Sequence, residues 1–182
     1  MKIIQKFFWV ALLMLVMAPP VCSADDGFRG KTGFDIKGFK PNLQPNVGWL
    51  VGGRWAGYFG TSQVYMGVAA YFGAPTGLSI TTEKMYYGGL TLGVDHSLSK
   101  NLRFEASLLL GYGEGQMKQF NISERSHYVA ETTLGLGFGL GGGWRMMLAG
   151  SYLHMANAKN FSGTTFGLRF HFRSSASRKP ND

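Results

Sequence analysis

Four histidines, ten carboxylates and one cysteine are the side chains best equipped for catalysis or metal binding in this chain. His96, His127, His154 and His171 stand far apart, with neither a His-x-x-His nor a His-x-x-x-His spacing. No zinc site is expected from them, and no other metal centre. Asp95 and Glu105 could serve as an acid and base pair. With Arg103 beside them, an ion network accounts better for all three. Gly137-x-Gly139-x-x-Gly142 matches a dinucleotide fingerprint by letters. It lacks the following helix and the acid on a second strand, so it is taken as a glycine stripe ending in a tight turn, and no cofactor is expected. Asn121-Ile122-Ser123 is a glycosylation sequon only in a eukaryotic secretory route. Ser151, His154 and His127 remain as nucleophile or base candidates without a convincing partner.

The elements that must position these residues begin after an export segment. Lys2 and Lys6 precede an apolar block from Phe7 to Met17, then Pro19-Pro20 and Cys22-Ser23-Ala24. This is the layout of a secretory signal cleaved after Ala24. The block is too short to span a bilayer. A lipoprotein reading of Cys22 competes, but Pro19-Pro20-Val21 fits that pattern poorly. Cleavage after Ala24 leaves a mature chain without cysteine, hence without disulfides or thiolate ligands. Of the 18 Lys and Arg, two lie in the signal, and none of the 10 acidic residues does, so the mature balance is +6. The basic residues are scattered singly in an exported chain, and nucleic acid is not an expected partner. Mean hydropathy of −0.01 argues against helical spans and leaves a barrel open, because its two faces average out.

Residues 25–172 show period-two alternation rich in aromatic, Leu, Val, Thr and Gly residues, as in Leu102–Leu108 and Gly167–Phe172. Eight strands are expected, at 31–40, 46–59, 63–74, 84–98, 102–117, 124–140, 143–155 and 161–172. Gly60–Ser62, Ser99–Asn101 and Gly141–Gly143 are tight turns; they alternate with longer connections at 41–45, 75–82, 118–123 and 156–160. That is the plan of an all-β, eight-stranded, antiparallel, up-and-down transmembrane barrel with short periplasmic turns. The basic stretch Arg173–Asp182 is expected to be a disordered periplasmic tail.

Alternation alone does not say which face meets lipid. One face carries Gly67, Gly93, Gly111, Gly135, Gly137, Gly139 and Gly167 with Arg54, Asp95, Arg103, Glu105, Glu131, Arg145 and Arg169. These suit a narrow lumen, and the charges are expected to interlock at its periplasmic end, leaving no open pore. Aromatics near strand ends suggest membrane-interface girdles: Trp49, Tyr58, Phe59, Tyr71, Phe72, Tyr86, Tyr87, Tyr112, Tyr128, Trp144, Tyr152, Phe170 and Phe172. The last strand ends on alternating Leu168, Phe170 and Phe172, the kind of signal that barrel-assembly machinery reads.

Through Tyr65–Gly77, Tyr86–Gly93, Ser107–Gly113 and Thr165–Phe170, the chain resembles the small OmpA/OmpX-type outer-membrane barrels, and among them uncharacterised eight-stranded barrel families. The resemblance implies fold and location and no activity. His154-Met155-Ala156-Asn157 resembles the His-x-Ser-Asn of lipid A 3-O-deacylases, also eight-stranded barrels, but Ala156 stands where that family has its nucleophile.

The expected role is therefore non-enzymatic: an exported outer-membrane barrel, structural in the envelope or acting at the surface through its outer loops. Lys84, Lys118, Arg125 and Lys159 are candidate contacts for lipid or lipopolysaccharide phosphates. The competing readings are a lipid A-modifying enzyme, a small channel and a soluble periplasmic ligand-binding barrel with its apolar face inside.

Overall fold

The computed structural model describes residues 29–76, 83–117 and 122–174, with backbone only at 117, 122–126, 173 and 174. Eight strands run in chain order: β1 Arg29–Pro41, β2 Gly48–Tyr58, β3 Val64–Ala74, β4 Glu83–Ser97, β5 Leu102–Met117, β6 Ile122–Gly141, β7 Trp144–Met155 and β8 Gly163–Ser174. Each pairs antiparallel with the next. β8 returns to β1 over twelve residue pairs, from Gly30↔Ser174 to Pro41↔Gly163, and closes the barrel. A 3-10 turn, Lys159–Phe161, leads into β8. None of the described helices is long and apolar enough to cross a membrane.

The sequence-derived strand boundaries fall within two residues of the observed ones. Two corrections matter. β1 starts two residues earlier than expected, at Arg29, and pairs fully on both sides. β8 continues to Ser174, so the tail does not start at Arg173: Arg173 pairs with Lys31 and Ser174 with Gly30. A longer β1 offers partners that hold those two residues in the ladder. Residues 175–182 and the export segment lie outside the described residues.

The start of β1, the end of β8 and the tight turns share one end of the barrel. The β6–β7 turn needs three successive left-handed residues, Gly141, Gly142 and Gly143 at φ 90°, 58° and 83°, which residues with a Cβ adopt only at a cost. Inside, glycine allows close strand approach. A Cβ at Gly89 would sit 2.2 Å from the Leu110 carbonyl oxygen, and one at its register partner Gly111 would sit 2.0 Å from that of Gly88.

Alternation sorts the barrel into two surfaces. Phe34, Ile36, Leu90, Leu92, Leu110, Leu134 and Phe166 point outward and are 47 to 67 % exposed. The lumen has two zones. At the long-connection end, Phe39, Leu50, Met85, Leu153, Met155 and Phe161 form an apolar core at 0–1 % exposure. Below it, toward the tight turns, the inward side chains are charged.

Candidate functional site: the ion-paired lumen

Glu105, on β5, is the hub. It accepts from Lys31 Nζ at 2.7 Å, Arg169 Nη1 at 2.6 Å, Arg54 Nη1 at 3.2 Å and the Tyr65 hydroxyl at 2.8 Å. Asp35 takes the other edge of the arginines: Arg169 Nε donates to it at 2.7 Å, and Arg54 Nη2 lies at 3.6 Å. The Tyr71 hydroxyl donates to Asp35 at 2.6 Å and accepts from Arg54 at 2.9 Å. All these side chains are nearly sealed from solvent, which is tolerable because every charge has a counter-charge and further hydrogen bonds.

Two smaller groups flank the hub. Toward the apolar zone, Glu131 accepts from Lys37 Nζ at 2.6 Å, Ser151 Oγ at 2.5 Å and the Tyr87 hydroxyl at 2.9 Å. Toward the tight turns, Asp95 accepts from the Tyr58 hydroxyl at 2.5 Å and Arg103 Nη1 at 3.3 Å, with Arg145 Nη1 at 3.6 Å. Asp95 and Glu105 stand directly opposite in the β4–β5 register. Like charges so placed repel; here each has its own set of cations. Tyrosine rings fill the space between. Lys31 Nζ sits 3.4 Å from the Tyr65 ring centroid, Lys37 Nζ 3.7 Å from that of Tyr71, and Tyr71 stacks on Tyr87 with centroids 5.0 Å apart.

The structure brings together the seven charged residues singled out from the sequence and adds Lys31, Asp35 and Lys37, which sequence reasoning missed. Strict alternation from any inward residue of β1 would have found them. The charges are not confined to the tight-turn end, because the Lys37–Glu131 pair lies about halfway along the lumen. Among the girdle candidates, Tyr58 and Tyr71 are corrections: they are 3 % and 2 % exposed and face inward, as does Tyr87. Their hydroxyls are needed as donors to Asp95, Asp35 and Glu131.

The remaining girdle candidates lie outside the lumen. Trp49 meets Phe72, and Tyr112 meets Tyr128, on the long-connection side. Trp144 meets Phe172 on the tight-turn side. Tyr86 bonds outward-facing Glu114, and Tyr152 accepts from Asn42. Phe59 is exposed in the β2–β3 turn, and Phe170 is half-buried on the outer face.

Lys84 is half-buried and faces outward at the long-connection end, and Lys159 is exposed on the 3-10 turn. Lys118 and the side chain of Arg125 lie outside the described residues. The deacylase-like pair is split by geometry. His154 faces outward, whereas Ser151 faces inward and is bonded to Glu131 and Thr165. The other histidines are scattered: His96 is exposed against Gln63, His127 lies opposite Gly113, and His171 is buried at the tight-turn end.

No protein-family model matches the sequence, and no curated protein matches it. Solved structures do match. Neisserial surface protein A (NspA) superposes with a TM-score of 0.55 at 11 % identity, over 82 % of this chain and 97 % of that one. The N-terminal β-barrel domain of Pseudomonas aeruginosa OprF superposes with a TM-score of 0.54 at 15 % identity, over 82 % and 98 %. This chain has the fold of a small outer-membrane β-barrel. The expectation from sequence and the closed eight-stranded topology therefore agree. A barrel of this kind with an ionic lumen also rules out the inside-out reading, in which the apolar face would surround a soluble ligand.

Proposed function

We propose that this protein is a non-enzymatic barrel of the bacterial outer membrane, exported by the Sec route and inserted by the barrel-assembly machinery. Its tight turns and both ends face the periplasm. The carrying observation is the division of its two surfaces: an apolar exterior edged by aromatic rings around a lumen of buried ion pairs. In water that exterior would be a large exposed apolar patch; in lipid it is the stable arrangement. The filled ionic and apolar layers make the barrel a plugged scaffold, and its role lies outside the lumen, in envelope integrity or in surface contacts of the long connections. Lys84 and Lys159, with Lys118 and Arg125, are suited to lipid and lipopolysaccharide phosphates. No nucleic acid or metal enters this function.

The test is to express the chain with its export segment in a Gram-negative host and to run the membrane fractions on SDS gels with and without boiling. An outer-membrane species that migrates faster unboiled is expected. A soluble periplasmic species without a heat-dependent shift would sink the proposal.

A further inference from the structure

The outer face of the barrel has a ridge on β8. Phe166 is 67 % exposed, and among the large apolar side chains described only Tyr128, at 68 %, is more so. Its register neighbours on both sides are outward glycines, Gly150 of β7 and Gly38 of β1. A ring therefore stands between two notches. The next outward row toward the tight turns is Leu148, Leu168 and Ile36, and the next toward the long connections is Tyr152, Thr164 and Lys40.

The barrel itself does not need glycine at these notches. Among the described residues, positive φ is confined to Asn157 and to glycines of the tight turns, so Gly150 and Gly38 have a backbone that any residue adopts. A Cβ at Gly150 would meet nothing nearer than the Thr165 carbonyl oxygen at 3.9 Å, and one at Gly38 nothing nearer than the Phe166 carbonyl oxygen at 3.5 Å. The inward glycines differ: at Gly67 and Gly111 a Cβ would lie 2.0 Å from a backbone oxygen. Glycine weakens a strand, through its conformational entropy and its lack of a side chain to pack, and often marks a place where another chain comes close. Lipid gives no hydrophobic drive to association, and close packing at small residues supplies it instead. Acyl chains are fluid and mould to any relief, so they have no need of a notch; a rigid partner does.

We propose that this face is a self-association surface, on which a second copy of the chain docks with its Phe166 over Gly150 of the first. Ridge and notch lie side by side on one patch, which is what a two-fold interface requires. Copies inserted in one direction are related by an axis along the membrane normal, which preserves depth. Register neighbours on tilted strands differ in depth by about 3 Å. That lies within the reach of a phenyl ring, so both Phe166–Gly150 contacts form together. The face of β6, β7, β8 and β1 within the apolar band measures about 19 Å by 25 Å, roughly 480 Å² on each copy. The total, about 950 Å², is below the roughly 1,200–2,000 Å² of stable soluble complexes, so the dimer is reversible. The inference rests on the membrane reading of the exterior.

The test is equilibrium energy transfer in liposomes between donor- and acceptor-labelled copies of the full chain carrying C22S/K100C, with the labels in the exposed β4–β5 turn. The same samples are run on SDS gels with and without boiling. Transfer above that of randomly placed monomers, saturating as the protein-to-lipid ratio rises, is expected. Gly150→Val and Phe166→Ala should each weaken association at least tenfold while keeping the heat-modifiable band, and either decides alone if the other fails to fold. Gly53→Val fills a similarly open outward glycine on β2, and Leu90→Ala removes a side chain 64 % exposed on β4; both should associate as the parent does. A heat-modifiable band without such transfer overturns this inference and leaves the membrane reading intact, whereas absence of the band overturns both. The inference is equally overturned if a folded Gly150→Val or Phe166→Ala associates as well as the parent, or if Gly53→Val or Leu90→Ala weakens association as much as they do.

Discussion

Replacing Glu105 by glutamine tests the lumen at its most loaded point. The side chain keeps its size and one acceptor oxygen, which can still serve Arg169 and Tyr65. It loses its charge and turns an N–H toward Lys31, now 2.7 Å from an acceptor. Lys31 is then left without its carboxylate partner, and Arg54 and Arg169 with Asp35 alone, in side chains no more than 3 % exposed. Breaking a buried ion pair by removing one partner costs about 3–5 kcal/mol. The retained hydrogen bonds argue for the lower part of that range, and the two extra cations argue for the upper part, so about 4 kcal/mol is expected. Urea unfolding of the barrel, refolded in detergent or liposomes and followed by tryptophan fluorescence and by the fraction of fast-migrating band, measures it. K31M/E105Q should recover a substantial part of the loss, because it removes the cation nearest the vacated charge. A loss below about 1 kcal/mol would place Glu105 in the range of solvent-screened surface pairs and refute the closed, dry lumen.

Other outcomes follow from the same geometry. Gly111→Ala should destabilise the barrel by about 2–4 kcal/mol or stop it folding, since the new Cβ overlaps the Gly88 carbonyl oxygen; Gly53→Ala, whose Cβ would have nothing within 3.7 Å, should be neutral in the same urea series. Brominated acyl chains should quench single-tryptophan variants that retain outward-facing Trp49 or Trp144, whereas a tryptophan placed at Tyr71 should stay unquenched. Planar-bilayer recordings of the parent should show no resolvable openings, and replacing Phe161 and Leu153 together by alanine should produce them if the apolar zone is the seal. Outer membranes from cells expressing the parent and His154→Ala should carry lipid A of identical acylation by mass spectrometry.

Much of the architecture was legible because two periodicities reinforce each other. Alternation located the strands, and the strict change between tight and long connections gave their number. What was lost came from abandoning alternation locally. Tyr58 shares the parity of Arg54 in β2, and Tyr71 that of Gly67 in β3. Both belonged to the inward set by position and were assigned outward because they lie near strand ends. Lys31, Asp35 and Lys37 were overlooked because β1 is short of large apolar residues on its outer face, so its alternation is faint. The specific contacts of Glu105 were not readable. Its partners come from β1, β2, β3 and β8, and their distances depend on strand tilt and stagger across the closed barrel.

The ionic lumen also bears on how such a chain can enter a bilayer. Its contacts join residues far apart along the chain: 51 residues separate Arg54 from Glu105, 74 separate Lys31 from it, and 134 lie between Asp35 and Arg169. None of these pairs can form within a hairpin. A partly inserted sheet missing β1 or β8 would turn bare arginine and carboxylate groups toward hydrocarbon, at a cost of several kcal/mol per ion. Half-built forms are thereby made unstable in the membrane, and closure of the first strand on the last becomes the event that admits the charges to its interior. The side chains that fill the finished barrel thus also impose all-or-none insertion, and a chain that stalls before closure is left at the membrane surface, where it remains open to degradation.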